Sequence, residues 1–142
     1  VVTDNMLRKV LRTFPVEEYC VFLLVPPEKA YTIEVDLARI KTVARQVDIA
    51  HKEAFEGNYW NAMTLNGLIY SHALKLPTDV IIESLEAGAL AAGISGKGPA
   101  YAFVVKEELK DPVLDVLREH GGQVMASKTR KHSSLPPPAL EH

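Results

Sequence analysis

The sequence predicts an α+β domain in which a ferredoxin-like antiparallel sheet carries helices on one face. Three observations lead there. Tyr19 to Val25 is an unbroken apolar run of strand type, stopped by Pro26-Pro27. From Asp36 to Ala89 the apolar residues recur at helical spacing. A second strand-like run, Tyr101 to Val105, is then followed by a short helical pattern and a last strand, Gln123 to Ser127. Helices gathered over one side of an antiparallel sheet, in a split βαβ arrangement, bury those faces economically.

Each element has a local cause. Val1 to Thr3 and Met6 to Thr13 read as a hairpin whose turn is Asp4-Asn5, two residues tolerant of turn geometry. Asp36 caps a helix through Leu37, Ile40, Ala44 and Val47, with a continuation or second helix reaching Phe55. Gly57-Asn58 breaks it. The next helix runs from about Tyr59 to Lys75, with Ala62, Leu65, Ile69, His72 and Leu76 at helical spacing. Pro77 ends it, and Thr78 caps a helix through Val80, Ile81, Leu85 and Ala89. Asp111-Pro112 is an N-cap and first-turn pair for a helix through Leu114 and Leu117, closed by Gly121-Gly122.

The 142 residues suit one domain with a substantial core, and 47% hydrophobic against 24% charged residues is ordinary for a globular chain. A net charge of -2 gives no electrostatic support for nucleic-acid binding. No apolar run approaches the roughly 18 residues that span a bilayer. The one cysteine, Cys20, lies inside the first strand, where a buried inert thiol is expected. A lone thiol and no signal-peptide pattern point to the cytoplasm. Leu140-Glu141-His142 looks like the start of a vector-encoded histidine tail, so Ser133 to His142, with Pro136-Pro137-Pro138, reads as linker and tag beyond a domain of residues 1 to 132. The chain reads as a piece of a larger protein.

The most informative stretch is the small-residue run Gly88 to Ala100, ending in Gly93-Ile94-Ser95-Gly96-Lys97-Gly98-Pro99. Glycines there let the backbone approach a ligand, and successive amides in such a turn form an anion site, with phosphate the first candidate. A tight turn needing glycine for steric reasons is the alternative. A Walker A loop is excluded, because Ala91 and Gly98 stand where Gly and Ser or Thr are required. A dinucleotide fingerprint is excluded, because this loop follows a helix and opens a strand.

Val2-Thr3-Asp4-Asn5, Val25-Pro26-Pro27-Glu28-Lys29-Ala30-Tyr31, Ala62-Met63-Thr64-Leu65-Asn66-Gly67-Leu68 and Leu85-Glu86-Ala87-Gly88-Ala89, leading into Gly93 to Pro99, together resemble one family. It is the archaeal-type shikimate kinases of the GHMP small-molecule kinase superfamily. Their order and spacing are similar to the C-terminal half of such an enzyme, over nearly all of residues 1 to 131. The glycine segment resembles the third superfamily motif, although the family usually has Thr and Ser where this chain has Lys97 and Ala100. The resemblance implies ATP and magnesium as cofactors, shikimate as substrate, and the C-terminal fold of GHMP kinases. The main ATP phosphate loop and the acidic catalytic residue belong, in that family, to an N-terminal half. Neither occurs here, so no catalytic residue is expected in this chain, which alone should be inactive.

By the same resemblance, Ser95, Gly96, Lys97 and Gly98 are the phosphate-binding candidates; a tight turn with a solvated lysine is the alternative. Arg39 is shaped to hold a carboxylate, which shikimate carries, or is a surface arginine near Lys41 and Arg45. Asn66 touches substrate or makes a structural hydrogen bond. Thr3, Asp4 and Asn5 border a cleft or simply turn a hairpin. His51, His72 and His120 show no metal-ligand spacing with a third ligand. Other GHMP kinases acting on homoserine, a mevalonate-like alcohol or pantoate are the nearest alternatives. A non-catalytic ferredoxin-like ligand-binding module is the more distant one. The isolated domain is also expected to expose an apolar face and to form some homodimer.

Overall fold

The computed structural model describes residues 2–4, 6–27, 36–96 and 98–129. The sequence readings on Asn5, on Glu28 to Tyr31, on Lys97 and on Ser133 to His142 lie outside them.

Strands β1 (Val2–Asp4) and β2 (Lys9–Arg12) form an antiparallel hairpin, as expected. Its turn is built by Asp4, whose Oδ1 accepts hydrogen bonds from the Met6 and Leu7 amides, both at 2.9 Å. Then follow β3 (Cys20–Val25), α1 (Leu37–Thr42), α2 (Ala44–Glu56), α3 (Tyr59–Ala73), α4 (Asp79–Glu86), β4 (Ala91–Ile94), β5 (Tyr101–Val105), a 3-10 turn (Glu107–Leu109), α5 (Lys110–Glu119) and β6 (Gln123–Lys128). The main sheet has the order β4-β5-β3-β6, with each neighbouring pair antiparallel. Strand, helices, hairpin, helix, strand in that spatial order is the split βαβ of a ferredoxin-like fold. The expected fold class is what the chain adopts.

One strand was not anticipated. Ala91–Ile94 was read as part of a loop between helix and strand, but it forms β4, and the glycine run therefore dissolves into separate parts. Gly88, at φ +107, ends α4: its amide bonds the Leu85 carbonyl and the Ala89 amide the Ser84 carbonyl. Only residues 95 to 100 remain as a hairpin tip. Ala-Ala-Gly has low strand propensity, and burial against neighbours overrides it: Ala91 and Ala92 are fully buried.

Three termini also differ from expectation. Thr78 precedes α4 but makes no side-chain cap bond. The last helix starts at Lys110, ahead of Asp111-Pro112, because the 3-10 turn leads directly into it. Before Pro77 is reached, α3 has already stopped: Lys75 adopts φ +58, with its amide on the His72 carbonyl and the Leu76 amide on the Ser71 carbonyl. Asp36 caps α1 as read, its Oδ1 accepting from the Ala38 and Arg39 amides.

The core lies between one sheet face and α4 with α5. Cys20, Phe22 and Leu24 alternate inward from β3 and meet Phe103, Val105, Ile81, Val113 and Leu117, the last five fully buried. Each such apolar side chain contributes about 1.5–3 kcal/mol by leaving water. The outer strand β4 is covered by α3, whose Thr64 Oγ1 accepts from the Ala92 amide at 3.2 Å. Here Gly67 faces Gly93: a Cβ on Gly67 would sit 2.5 Å from the Gly93 Cα and 3.1 Å from the Ala92 carbonyl oxygen. Both neighbours are backbone and cannot swing aside.

Gly67→Ala should therefore lower the stability of the chain by about 1–3 kcal/mol in urea unfolding, the usual cost of overpacking. Gly121→Ala, with nothing within 4 Å of its Cβ but φ +72, should cost only about 1 kcal/mol of backbone strain. Equal midpoints for Gly67→Ala and the native chain would contradict the α3–β4 contact.

Candidate functional site

The tip joining β4 to β5 is closed by its own amides. Ser95 N–H donates to the Ala100 carbonyl at 2.8 Å and Gly98 N–H to the Ser95 carbonyl at 3.1 Å. Two of the donors expected to face an anion are thus spent inside the turn. The Gly96 amide is different: it makes no hydrogen bond among the described residues, and Ser95 and Gly96 are exposed. Gly96 sits at φ +62, with nothing within 4 Å of where a Cβ would stand. The arrangement leaves one amide without a described partner at an exposed, uncrowded tip, which suits an oxyanion approached by backbone.

Beneath the tip, Pro99 and Tyr101 join Leu24, Pro26, Pro77 and His120 around a cavity of about 340 Å³. Tyr101 Oη donates to the Pro77 carbonyl at 2.8 Å, and burial raises its pKa above the ordinary value. His120 Nε2 lies 2.7 Å from Glu83 Oε2, tying the end of α5 to α4.

Arg39 is placed elsewhere. From the first turn of α1 its Nη2 donates to the His72 carbonyl at 3.0 Å, at the C-terminal end of α3. A cation there meets the negative end of the helix. Its Nε is buried and has no partner among the described residues. The residue is half-buried.

Asn66 lines a larger cavity of about 470 Å³ with Val2, Phe14, His51, Trp60 and Met63. Asn66 is half-buried there, and its side-chain amide has no hydrogen-bond partner among the described residues. Asn66 is adjacent to Gly67 and thus one contact away from β4, two residues before Ser95. Arg39 on α1, Asn66 on α3 and the tip after β4 are three separate places, and no hydrogen bond among the described residues joins their side chains. Of the histidines, His51 shares the Asn66 cavity, His72 is exposed and His120 pairs with Glu83. Among the described residues no three His, Cys, Asp or Glu side chains converge to hold a metal, and none of their helices is long and apolar enough to cross a membrane.

Two arrangements escaped the sequence reading because their partners are distant in the chain. Arg12 stacks its guanidinium 5.2 Å from the ring centres of both Phe14 and Phe55. Its Nη1 donates to the Phe55 carbonyl at 2.7 Å. Cys20 Sγ donates to Glu107 Oε2 at 2.8 Å, and Lys110 pairs with the same carboxylate. Cys20 is buried, as expected, and its thiol is pushed up by the Glu107 hydrogen bond and then by burial. Glu107 is correspondingly lowered to about 2, first by the Cys20 hydrogen bond and then by Lys110.

Comparisons with known proteins bear on the family and the fold. Residues 58–123 match the family model described as GHMP kinases C terminal. The chain is 36% identical over 126 residues to the shikimate kinase of Methanothermobacter thermautotrophicus, covering 89% of this chain and 44% of that protein. It is 37% identical over 134 residues to the shikimate kinase of Methanothrix thermoacetophila, covering 94% and 46%. The shikimate kinase of Pyrococcus furiosus is 36% identical over 125 residues, covering 88% and 45%. The chain thus spans less than half the length of the curated relatives it matches. Among solved structures, L. major mevalonate kinase in complex with R-mevalonate superposes with a TM-score of 0.56 at 12% identity, over 83% of this chain and 44% of that one. Homoserine kinase from Cytophaga hutchinsonii gives 0.52 at 16%, over 92% and 47%. At such identities the likeness is one of fold. Residues 58–123 thus carry the C-terminal domain of the GHMP kinases. Within them, its sequence similarity runs to the archaeal shikimate kinases.

The Glu107 arrangement carries a pH signature. A carboxylate whose folded pKa is depressed contributes stability above its ordinary value of 4.5, and that stability is lost as pH falls towards 2. Glu107→Gln should therefore lose less stability than the native chain between pH 4.5 and 2, followed by thermal midpoints. Removing the acceptor should also move the pH midpoint of Cys20 labelling by a disulfide reagent downward. An unchanged labelling midpoint would exclude the thiol–carboxylate bond as the cause.

Proposed function

We propose that this chain is the C-terminal half of an ATP-dependent shikimate 3-kinase, in which residues 1 to 132 form the domain and 133 to 142 a tail. The observation that carries the reading is the alignment of about nine-tenths of the chain with archaeal shikimate kinases at 36–37% identity. In the intact enzyme a phosphoryl group passes from ATP to the 3-hydroxyl of shikimate, a soluble cytoplasmic step of aromatic amino-acid biosynthesis. Catalysis of that kind is mostly positioning and charge stabilisation. The Gly96 amide, at an exposed tip, supplies a donor to a phosphate oxygen, and Ser95, Lys97 and Gly98 are the other phosphate-binding residues of this reading.

The residues for the carboxylate are Arg39 and Asn66. Arg39 already gives one nitrogen to the His72 carbonyl, which orients the guanidinium, and its unpartnered Nε is the donor left for an oxyanion. Magnesium is the metal this reading implies, and one or two carboxylates with the ATP phosphates are enough to hold it. It arrives with the ATP phosphates and is held by the other half of the protein. The catalytic acid and the main phosphate loop belong to that half as well. Homoserine or mevalonate-like alcohols are the competing substrates, supported by the solved structures that share the fold.

Purified residues 1 to 142 should show no shikimate-dependent ADP formation. In the full-length enzyme, Gly96→Ala places its Cβ in open space, so its folding cost is the strain of φ +62 alone, about 1–2 kcal/mol. Displacing a charge-stabilising amide costs on the order of 3 kcal/mol, roughly a hundredfold in turnover. Gly98→Ala is expected to act in the same direction. Lys97→Ala should cost less, with an effect that shrinks as salt rises. Near-normal turnover of both glycine variants, alongside lowered unfolding midpoints, would reduce the tip to a structural turn.

A further inference from the structure

We propose that Tyr101 is a positioning residue: through the turn between α3 and α4, its hydroxyl holds the glycine tip in a fixed relation to Arg39. The proposal rests on the reading above, in which Arg39 takes a carboxylate and the tip a phosphate. No hydrogen bond among the described residues joins the two directly. Both are tied instead to the same short turn. At its start, the His72 carbonyl accepts from Arg39 Nη2 at 3.0 Å. At its end, the Pro77 carbonyl accepts from Tyr101 Oη at 2.8 Å. Ala100, the neighbour of Tyr101, closes the tip by accepting from the Ser95 amide at 2.8 Å.

The turn between those two carbonyls has little freedom. Lys75 adopts φ +58, and its amide shares the His72 carbonyl with Arg39 at 3.2 Å. The Leu76 amide bonds the Ser71 carbonyl at 2.7 Å, which completes the helix end. Pro77 has its φ set by its ring and offers the backbone only a carbonyl. Rigid segments joined by hydrogen bonds in this way are what carry coupling between separated sites.

The tip depends on its base for orientation. Gly96 is exposed, and nothing lies within 4 Å of where its Cβ would stand, so no neighbour braces it there. Pro99 and Tyr101 line the same cavity of about 340 Å³ as Leu76 and Pro77, so packing leaves space between tip and turn. The Tyr101 hydroxyl bridges that space. Its ring is fixed: Tyr101 is 2% exposed and lies beside Phe103, with ring centres 6.5 Å apart. Phosphoryl transfer depends on such fixed placement, because a group displaced by about 1 Å can cost roughly a hundredfold in rate.

The test has two arms. In residues 1 to 142 alone, Tyr101→Phe keeps the ring and removes the bond, and nitrogen–proton correlation spectra read the Gly96 amide and the Arg39 Nε–H. Both signals should shift. Ser84→Ala deletes another buried hydroxyl, bonded to the Ile81 carbonyl of its own helix, and should move neither. In the full-length enzyme, Tyr101→Phe should lower kcat by about tenfold. It should also raise KM for shikimate about fivefold, the low end of coupling between sites. In an Arg39→Lys background the same change should alter that KM by less than about twofold. The proposal is overturned if Gly96 shifts while the Arg39 Nε–H stays in place, if KM for shikimate is unchanged in Tyr101→Phe, or if the two substitutions act additively on KM. Absence of shikimate-dependent ADP formation by the native full-length protein would sink the shikimate reading alone. The spectra then decide the coupling: two shifts uphold it, and one or none overturns it.

Discussion

The rest of the structure depends on one backbone-to-backbone contact, Gly67 of α3 against Gly93 of β4. β4 is the outer strand of the main sheet, and an outer strand leaves one row of amides and carbonyls unpaired. A helix can approach that closely only where both partners lack a side chain. Thr64 then reaches the Ala92 amide with its hydroxyl, so the helix also satisfies a strand donor that no further strand pairs with. Because α3 packs on α2, and α2 holds Arg12 through the Phe55 carbonyl, the same contact sets where the hairpin stands. Along β4 it sets where the Ser95-Gly96 tip begins.

Burial and charge divide the domain differently. The face under α4 and α5 is apolar throughout, apart from Ser84, whose hydroxyl donates to the Ile81 carbonyl at 2.8 Å. At the start of β3, the thiol of Cys20 meets the Glu107–Lys110 ion pair. The carboxylate of Glu107 stays charged because it accepts from both the thiol and Lys110. The thiol is thereby held protonated, the reverse of what a nucleophile needs. The end of the sheet that carries Gly96 is the one with an unspent donor.

Much of this was legible in the sequence, for identifiable reasons. β3 and β5 announced themselves through unbroken apolar runs of strand type, α2 through its periodicity and the Gly57 that ends it, and α4 through its periodicity. β4 did not, because Ala91-Ala92-Gly93 is chosen for close packing under α3, and small residues chosen for that reason look like loop. Asp111-Pro112 misled because a 3-10 turn had already begun the helix with Glu107. The candidate residues were legible by type and not by placement. Asp36 fixed the start of α1, yet the destination of the Arg39 fork is a carbonyl 33 residues away, which no local pattern specifies. Arg12 reaches 43 residues to Phe55 for the same reason.

The placement of Arg39 bears on how this half would take part in phosphoryl transfer. A guanidinium bound to a carbonyl through Nη2 has its plane and direction set before any ligand arrives, whereas a solvated arginine must lose several rotatable bonds to do so. The Nε is buried and has no partner among the described residues, so on the proposed reading an oxyanion there would meet a donor already taken out of water. Gly96, by contrast, is exposed. On that same reading the two donors would suit different tasks: Arg39 a tightly held carboxylate, and Gly96 a phosphate that must be gripped at the moment of transfer and then released.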